Sequence, residues 1–312
     1  MIKQFKHQNI IWIDATNPTK EELASLAKSY NIHSLVETEA SSPSHRSRLD
    51  IYEKYIYLIL HFPQCGACFG AVNKNNTTTS SSQEVDFILG EDFLITIHYE
   101  PLAPLEEFGQ IFDANLSLGQ NKSKFHAGFV FFQVITQLYQ SLDVGLSTLD
   151  DSLKKAEAGI FSSKEKEMVL VLADINRDLL DFNWSLESHN KIMAELEEVL
   201  PTMFDASFKN YTHTMKANYH RIYDTVAHLK EMFDELRITN DSLLTIKTNE
   251  TMKVLTIMAF ITFPLSVLTS TFGMNTAYTP ILGNRFDFWI IILIMLGSVA
   301  AMFAFFRYKK WL

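Results

Sequence analysis

The fold is decided near the C-terminus by "MKVLTIMAFITFPLSVLTSTF", Met252–Phe272, whose 21 residues carry a single charge, Lys253. A second segment, "FWIIILIMLGSVAAMFAFF" at Phe288–Phe306, has 19 residues and no charge. Each segment is long enough to cross a hydrocarbon core of about 30 Å as a helix. Buried core helices are the alternative, but two such segments in tandem make it weak. The sequence therefore predicts two transmembrane helices, 252–272 and 288–306.

Basic residues flank this pair on the two sides away from its connecting loop: Lys247, Lys253, Arg307, Lys309 and Lys310. Because positive flanks stay in the cytoplasm, we expect both termini to be cytoplasmic, with residues 307–312 forming a basic cytoplasmic tail. Residues 273–287 then form an outer loop. The chain is predicted to be an integral membrane protein of the cell (inner) membrane, in contact with membrane lipid.

Composition narrows the classes of partner for this 312-residue chain. A net charge of −9 argues against nucleic acid, since phosphate binding needs a basic surface. Cys65 and Cys68 are the only cysteines, so we expect no disulfide framework. Their "CGAC" motif is half a zinc site, a redox pair or two incidental thiols, and we favour the last.

Residues 1–201 read as an α/β domain that ends in a helical hairpin. Strand patterns lie at Ile10–Ala15 and Asp50–Phe62, and Val85–His98 reads as a hairpin turning at Gly90-Glu91. Pro18 suits the first turn of a helix after the first strand. From about Lys124 the sequence turns helical, and residues 160–200 contain no Gly or Pro.

A long stalk helix is predicted next, over residues 202–251. Pro201 interrupts the helical pattern, and residues 202–263 again contain no Gly or Pro. As one helix they would span roughly 90 Å and enter the membrane without a break.

The stalk carries a heptad stripe: Met215, Tyr219, Ile222, Val226, Leu229, Phe233, Leu236, Asn240 and Leu243. Two interpretations stay open. The stripe packs against the preceding antiparallel helix, residues 160–200, or copies from different chains meet along it. Because two membrane helices cannot enclose a pore by themselves, any transport requires a ring of several chains.

The stretch "TNETMKVLTIMAFITFPLSVLTSTFGMNTAYTPILGNRF", with the second apolar segment and the terminal "KKWL", resembles the CorA family of divalent-cation channels. Gly-Met-Asn after the first membrane helix is that family's signature. The resemblance implies a homopentamer. Each chain would have an α+β cytoplasmic funnel domain (α/β/α), a long stalk helix and two C-terminal transmembrane helices, the first lining the pore and the second forming an outer ring.

The resemblance also implies function. The family conducts Mg²⁺, and often Co²⁺ or Ni²⁺, inward along the electrochemical gradient. We expect no enzyme activity and no cofactor, because the chain shows neither a nucleophile–base pair nor a phosphate-binding loop.

Helical spacing places one set of residues on a single face of the first membrane helix: Asn249, Met252, Leu255, Ala259, Phe263, Ser266 and Ser270. We predict that they line the pore, with an apolar constriction that gates by dewetting; packing between helices is the alternative. The resemblance assigns Gly273, Met274 and Asn275 to the selective mouth. A ring of Asn275 amides suits Mg²⁺, which gives up its water reluctantly.

Residues of the predicted stalk helix are further candidates for contact with a metal ion. Asp241, three turns before Met252, either forms an acidic ring on the pore axis that contacts the metal or, as a lone stalk aspartate more often does, is simply solvated. Where characterised relatives hold a regulatory metal, this chain has Thr212, His213 and Thr214, so we carry over no regulatory site. The stalk histidines, His213, His220 and His228, suit a softer metal, but exposed helix histidines are the favoured interpretation.

The outer loop departs from the family pattern, because Ala277 and Ile281 stand where glutamates are usual. An anionic mouth would concentrate cations, and this loop lacks one. A transporter for Zn²⁺ or another transition metal therefore remains an alternative to a Mg²⁺ channel. A third hypothesis is a membrane-anchored sensor or redox protein that uses Cys65 and Cys68.

Overall fold

A computed structural model of the chain describes residues 1–44, 46–63, 82–112, 126–274, 285–309 and 311. These residues divide into two compact units, Met1–Arg237 and Ile238–Leu312, and each unit is described by itself. The described strands are β1 (Ile2–His7), β2 (Ile10–Thr16), β3 (Arg48–Ile51), β4 (Tyr55–Pro63), β5 (Ser82–Gly90) and β6 (Phe93–His98). The described α-helices are α1 (Lys20–Tyr30), α2 (Ser34–Glu39), α3 (Ala103–Gln110), α4 (Ala127–Phe161), α5 (Glu165–Glu187), α6 (His189–Met203), α7 (Lys209–Phe272) and α8 (Asp287–Tyr308).

The six strands form one sheet in the order β1-β2-β6-β5-β4-β3. Only β2 and β6 pair in parallel; the other neighbours are antiparallel. The predicted strand at Ile10–Ala15 is confirmed by β2. The predicted hairpin is confirmed by β5 and β6, which a two-residue loop, Glu91-Asp92, connects.

Three details of the N-terminal sequence were predicted wrongly or missed. The strand expected over Asp50–Phe62 is two strands, β3 and β4, because the chain turns where the Tyr52 N–H donates to the Tyr55 carbonyl at 2.9 Å. The edge strand β1 was not predicted. Pro18 does not lie in the first turn of α1, because the helix begins at Lys20 with Thr19 as its N-cap and Glu22 completing a capping box.

Helices cover both faces of the sheet, as the α/β/α prediction requires. On one face α1 and α2 pack on a core that includes Ile13, Val36, Tyr57, Ile59 and Ile97. On the other face α4 packs on β2, β5 and β6. Its Phe131 ring meets Phe87 edge to face at 5.5 Å between centroids.

The helical hairpin breaks at two positions that are neither Gly nor Pro. α4 ends at Phe161, and Ser163 takes a left-handed φ of 66° before α5 begins. Ser188 then separates α5 from α6. The predicted interruption at Pro201 is wrong, because the helix continues through Pro201, in its last turn, to Met203.

The real break follows at Asp205, whose carboxylate accepts from the backbone N–H groups of Ser207 and Phe208. This caps a 3₁₀ turn, Ala206–Phe208, and α7 begins at Lys209 rather than at 202. The stalk helix is therefore shorter at its start than predicted.

The heptad stripe of α7 is buried inside a single chain from Met215 to Leu236. It packs against both α4 and α6 rather than against one helix over residues 160–200. The Tyr219 ring contacts Tyr139 of α4 and His189 of α6, each at 6.3 Å. Packing within the chain is thus the interpretation that the structure favours for this part of the stripe. Asn240 is also buried, whereas Leu243 is partly exposed.

Candidate functional site

In the C-terminal unit, α7 and α8 are both long and apolar enough to cross a membrane. α7 continues unbroken through Pro264 to Phe272. Its hydroxyl side chains bond to its own backbone: Thr256, Thr262, Ser266 and Thr271 each donate to the carbonyl four residues earlier. Because lipid offers no hydrogen-bond partners, these bonds let hydroxyls lie in a membrane span.

One side of α7 is less exposed than the rest of its C-terminal part. The less exposed positions recur at helical spacing: Lys253, Ile257, Ile261, Pro264, Leu268 and Phe272 are buried or half-buried. In the described part of the C-terminal unit, Ile257 and Phe306 are the only apolar side chains exposed by 9% or less. The Phe306 ring of α8 lies 6.3 Å from the Phe260 ring of α7.

The seven predicted pore-lining residues lie on the other side. Asn249, Met252, Leu255, Ala259, Phe263, Ser266 and Ser270 are all exposed. At about 100° per residue, their mean direction is roughly 160° around the helix from that of the six buried or half-buried residues. A single chain thus leaves this face of α7 without a partner, in the described residues.

The chemistry of this face changes along its length. Asn249 is polar, the positions from Met252 to Phe263 are apolar, and Ser266 and Ser270 carry hydroxyls. The Ser266 hydroxyl donates to the Thr262 carbonyl at 3.0 Å, but its oxygen can still accept a bond from water. The face therefore offers two polar ends with an apolar segment between them.

Gly273 and Met274 follow the end of α7 at Phe272, and Asn275 lies outside the described residues. The Gly273 N–H donates to the Thr269 carbonyl at 2.9 Å. A Cβ at position 273 would lie 3.1 Å from that same carbonyl oxygen. Glycine suits this position because it allows the close approach of backbone to backbone. Met274 is exposed.

The predicted metal-contacting residues are two single groups rather than a cluster. Asp241 is exposed and falls on the same face of α7 as the seven residues. Within the described ranges, no three His, Cys, Asp or Glu side chains come together to hold a metal ion. His213, His220 and His228 therefore form no such group. Asp241 and Asn275 can surround an ion only if several chains contribute them.

The N-terminal unit buries several titratable groups in structural networks. His189 is fully buried, and the Tyr139 hydroxyl lies 2.8 Å from its Nδ1. Burial first, and then the charge of His61, lowers the pKa of His189 to about 3. The imidazole is therefore neutral at physiological pH.

Asp86 lies on the sheet face that α1 and α2 cover and is also fully buried. It accepts from the Tyr57 hydroxyl at 2.8 Å. Burial first, and then the neighbouring Glu84, raises the pKa of Asp86 well above its ordinary value. These networks explain how the sheet holds polar side chains in its core.

One contact in the C-terminal unit was not predicted. The Trp311 ring stacks on the Phe306 ring, with 6.0 Å between their centroids. The signal was present in the sequence, because a helix end often brings together two apolar residues at this five-residue spacing.

The sheet-and-helix unit, the long helix and the two candidate spans define a two-span membrane protein with a large N-terminal domain. The sequence profile of the family described as "CorA-like Mg2+ transporter protein" matches residues 7–310. The chain belongs to the CorA family, whose members are Mg²⁺/Co²⁺ ion transporters or channels and not enzymes.

Individual relatives are similar to this chain over nearly its whole length. The cobalt/magnesium transport protein CorA of Thermotoga maritima is 24% identical over 306 residues, which cover 96% of this chain and 83% of the relative. The protein of the same name from Methanocaldococcus jannaschii is 22% identical over 311 residues, covering 99% and 93%. The complete structure of the CorA magnesium transporter from M. jannaschii superposes with a TM-score of 0.80 at 20% identity, covering 99% of this chain and 93% of that one.

Proposed function

We propose that this chain is one subunit of a homopentameric channel that admits Mg²⁺ along its electrochemical gradient. The observation that carries the proposal is the unpartnered face of α7, with Asn249 at one end and Ser266 and Ser270 at the other. A polar side chain in a membrane span usually faces a bundle interior or a water-filled cavity rather than lipid. The relatives named for magnesium and cobalt transport support the choice of ion.

The geometry of one chain supports a ring of copies. The seven residues leave one face of α7 exposed, and two membrane helices cannot enclose an axis without further copies. In such a ring α7 lines the pore and α8 lies outside it. The number five comes from the resemblance to the family. The basic flanks support a cytoplasmic position for both termini, and the proposed location is the inner membrane.

The proposed path has three parts. At the outer mouth, Gly273, Met274 and Asn275 form the selectivity ring, in which Asn275 amides contact the water shell of the ion. The apolar segment from Met252 through Leu255 and Ala259 to Phe263 is the constriction, which closes by excluding water. At the inner end, Asn249 and Asp241 form polar and acidic rings that attract the cation.

A transition-metal transporter is the second candidate, and the outer loop is the observation that favours it. Ala277 and Ile281 provide no carboxylates, and Arg285 and Asp287 balance one another in formal charge. This loop has no excess of negative charge to concentrate Mg²⁺. The redox hypothesis rests on Cys65 and Cys68, which lie outside the described residues, and membership of a transporter family speaks against it.

The test is cation influx into liposomes that contain the purified full-length protein. The wild type should admit Mg²⁺, and Asn275→Ala should lose influx or discrimination among Mg²⁺, Co²⁺, Ni²⁺ and Zn²⁺. Asn284→Ala is the matched control, because it removes the same amide from the same connecting segment. Equal influx and equal ion preference in both variants would refute the selectivity assignment. A wild type that prefers Zn²⁺ to Mg²⁺ would favour the second candidate.

A further inference from the structure

The C-terminal end of α8 folds back on itself. The Lys309 backbone N–H donates to the Phe305 carbonyl, and two residues further on the Trp311 backbone N–H donates to the Phe306 carbonyl at 3.0 Å. The Trp311 ring stacks on the Phe306 ring with an interplanar angle of 23°. A bond across five residues with an apolar contact between the same two residues marks a Schellman-type helix end. Trp311 is therefore held by both its backbone and its side chain.

The same Phe306 ring also contacts the pore helix. It meets the Phe260 ring of α7 edge to face, with an interplanar angle of 73°. Phe306 is only 5% exposed, which places it at the most enclosed point between the two helices of this unit, among the described residues. Phe260, Phe306 and Trp311, which we call the aromatic latch, thus form one continuous contact from the C-terminal end to α7.

The aromatic latch contacts α7 at a residue whose backbone hydrogen bond is missing. Pro264 has no N–H group, so it cannot donate to the carbonyl of Phe260, four residues earlier. Helices bend most readily where this bond is missing. Ala259 and Phe263, two residues of the exposed face, lie on either side of Phe260 in sequence. Movement at this point would change how both residues face the axis.

We propose that Trp311 is a positioning residue for the constriction: through Phe306 it holds Phe260, and so prevents α7 from bending at Pro264. The inference rests on the proposed channel function. When the latch is intact, each subunit presents Ala259 and Phe263 at a fixed distance from the axis. When it is released, the apolar ring widens, water enters more readily and the barrier to the cation falls.

The expected effect follows from the strength of one aromatic contact. Loss of such a pair shifts an equilibrium by about two- to tenfold. Trp311→Ala should therefore raise Mg²⁺ influx into liposomes about two- to tenfold. Trp311→Phe, which keeps a ring to stack on Phe306, should restore the wild-type rate. Tyr308→Ala is the matched control, because Tyr308 is an aromatic residue of the same helix end that is 85% exposed.

Two further variants separate the latch from a general loss of structure. Phe260→Leu releases the other end of the latch and should raise influx in the same way as Trp311→Ala. Pro264→Ala restores the missing backbone bond, so Trp311→Ala should have no effect in that background. Unchanged or reduced influx in both latch variants, or an equal rise in the Pro264→Ala background, would overturn the proposal.

Hydrogen–deuterium exchange of the C-terminal peptide gives a readout that does not depend on transport. Exchange should be faster in Trp311→Ala than in the wild type, Trp311→Phe or Tyr308→Ala. Equal exchange in all four proteins would show that the latch does not hold the C-terminus. If the wild type admits none of the four cations, the channel proposal fails and the positioning role fails with it. The exchange result would still show whether the contact exists, so the two failures are distinguishable.

Discussion

Lowering the pH should destabilise the N-terminal unit through one residue, His189. This imidazole is fully buried where α4, α6 and α7 meet the sheet. Its ring lies 5.3 Å from Phe62 of β4 and 6.3 Å from Tyr219 of α7. Protonation would place a positive charge among these buried rings. Protonation of His189 would therefore weaken the packing of the heptad stripe of α7.

The magnitude follows from the shift in pKa. Burial, and then the charge of His61, lowers the pKa of His189 to about 3 in the folded chain, against about 6.5 in an unfolded chain. Below pH 6.5 the unfolded state binds a proton that the folded state does not, so stability falls as the pH falls. The loss approaches about 1.4 kcal/mol per pH unit, or about 2 kcal/mol between pH 6.5 and pH 5.

The assay is denaturant unfolding of the full chain in detergent at a series of pH values between 7.5 and 5. Because glutamine does not titrate, His189→Gln should show a smaller loss of unfolding free energy over this range than the wild type. His213→Gln, at an exposed position on α7, should keep the wild-type dependence. The reasoning is refuted if wild type and His189→Gln lose the same unfolding free energy between pH 6.5 and pH 5.

Three other perturbations test separate parts of the structure. Burial raises the pKa of Asp86, so its contribution to stability is lost as the pH rises above the unfolded value. Asp86→Asn should therefore become more stable relative to the wild type from pH 4 upward, as measured by unfolding at each pH. Ile222→Ala, at a fully buried site of the stalk stripe, should cost about 2–5 kcal/mol of unfolding free energy. Ile238→Ala, at a site that is 66% exposed, should cost less than about 0.5 kcal/mol. Glutamates at Ala277 and Ile281 together should raise Mg²⁺ influx at low external Mg²⁺, and unchanged influx would discount the argument from loop charge.

The strands that the sequence predicted are those with an apolar pattern. β2 and the hairpin of β5 and β6 lie inside the sheet and are largely buried, and each strand contains a run of apolar β-forming residues, at residues 10–13, 87–89 and 93–95. β1 escaped prediction because it is a half-exposed edge strand that carries Lys3 and Lys6. Lysine on an edge strand hinders pairing with other chains, and it also removes the pattern that would reveal the strand.

The ends of the helices were harder to predict than the helices. Gly and Pro are the residues whose presence in a sequence predicts the end of a helix. The helices of this chain end instead at Ser163 and Ser188, and at Asp205 rather than at Pro201. At Asp205 the carboxylate supplies the hydrogen bonds that the broken helix loses. Such breaks are fixed by tertiary packing and by local side-chain bonds, which composition alone does not show.

That the seven residues share one exposed face of α7 could be predicted, because it depends only on helical spacing. That this face lines a pore stays a prediction. The sequence could not show what the heptad stripe packs against, because a heptad pattern is the same whether its partner helix is in the same chain or in another. The structure decides in favour of the same chain for Met215 to Leu236. Neighbouring chains would therefore have to meet along other surfaces of the helix.

Thiol modification tests most directly whether the exposed face of α7 lines the pore. In a background with Cys65 and Cys68 replaced by serine, Ser270→Cys lies on that face near the outer mouth. Thr271→Cys lies about 100° around the helix and is also exposed in the single chain. A hydrophilic thiol reagent added from outside should block Mg²⁺ influx through Ser270→Cys and leave influx through Thr271→Cys unchanged. Equal effects on the two variants, or a block of Thr271→Cys alone, would contradict the assignment of this face to the pore.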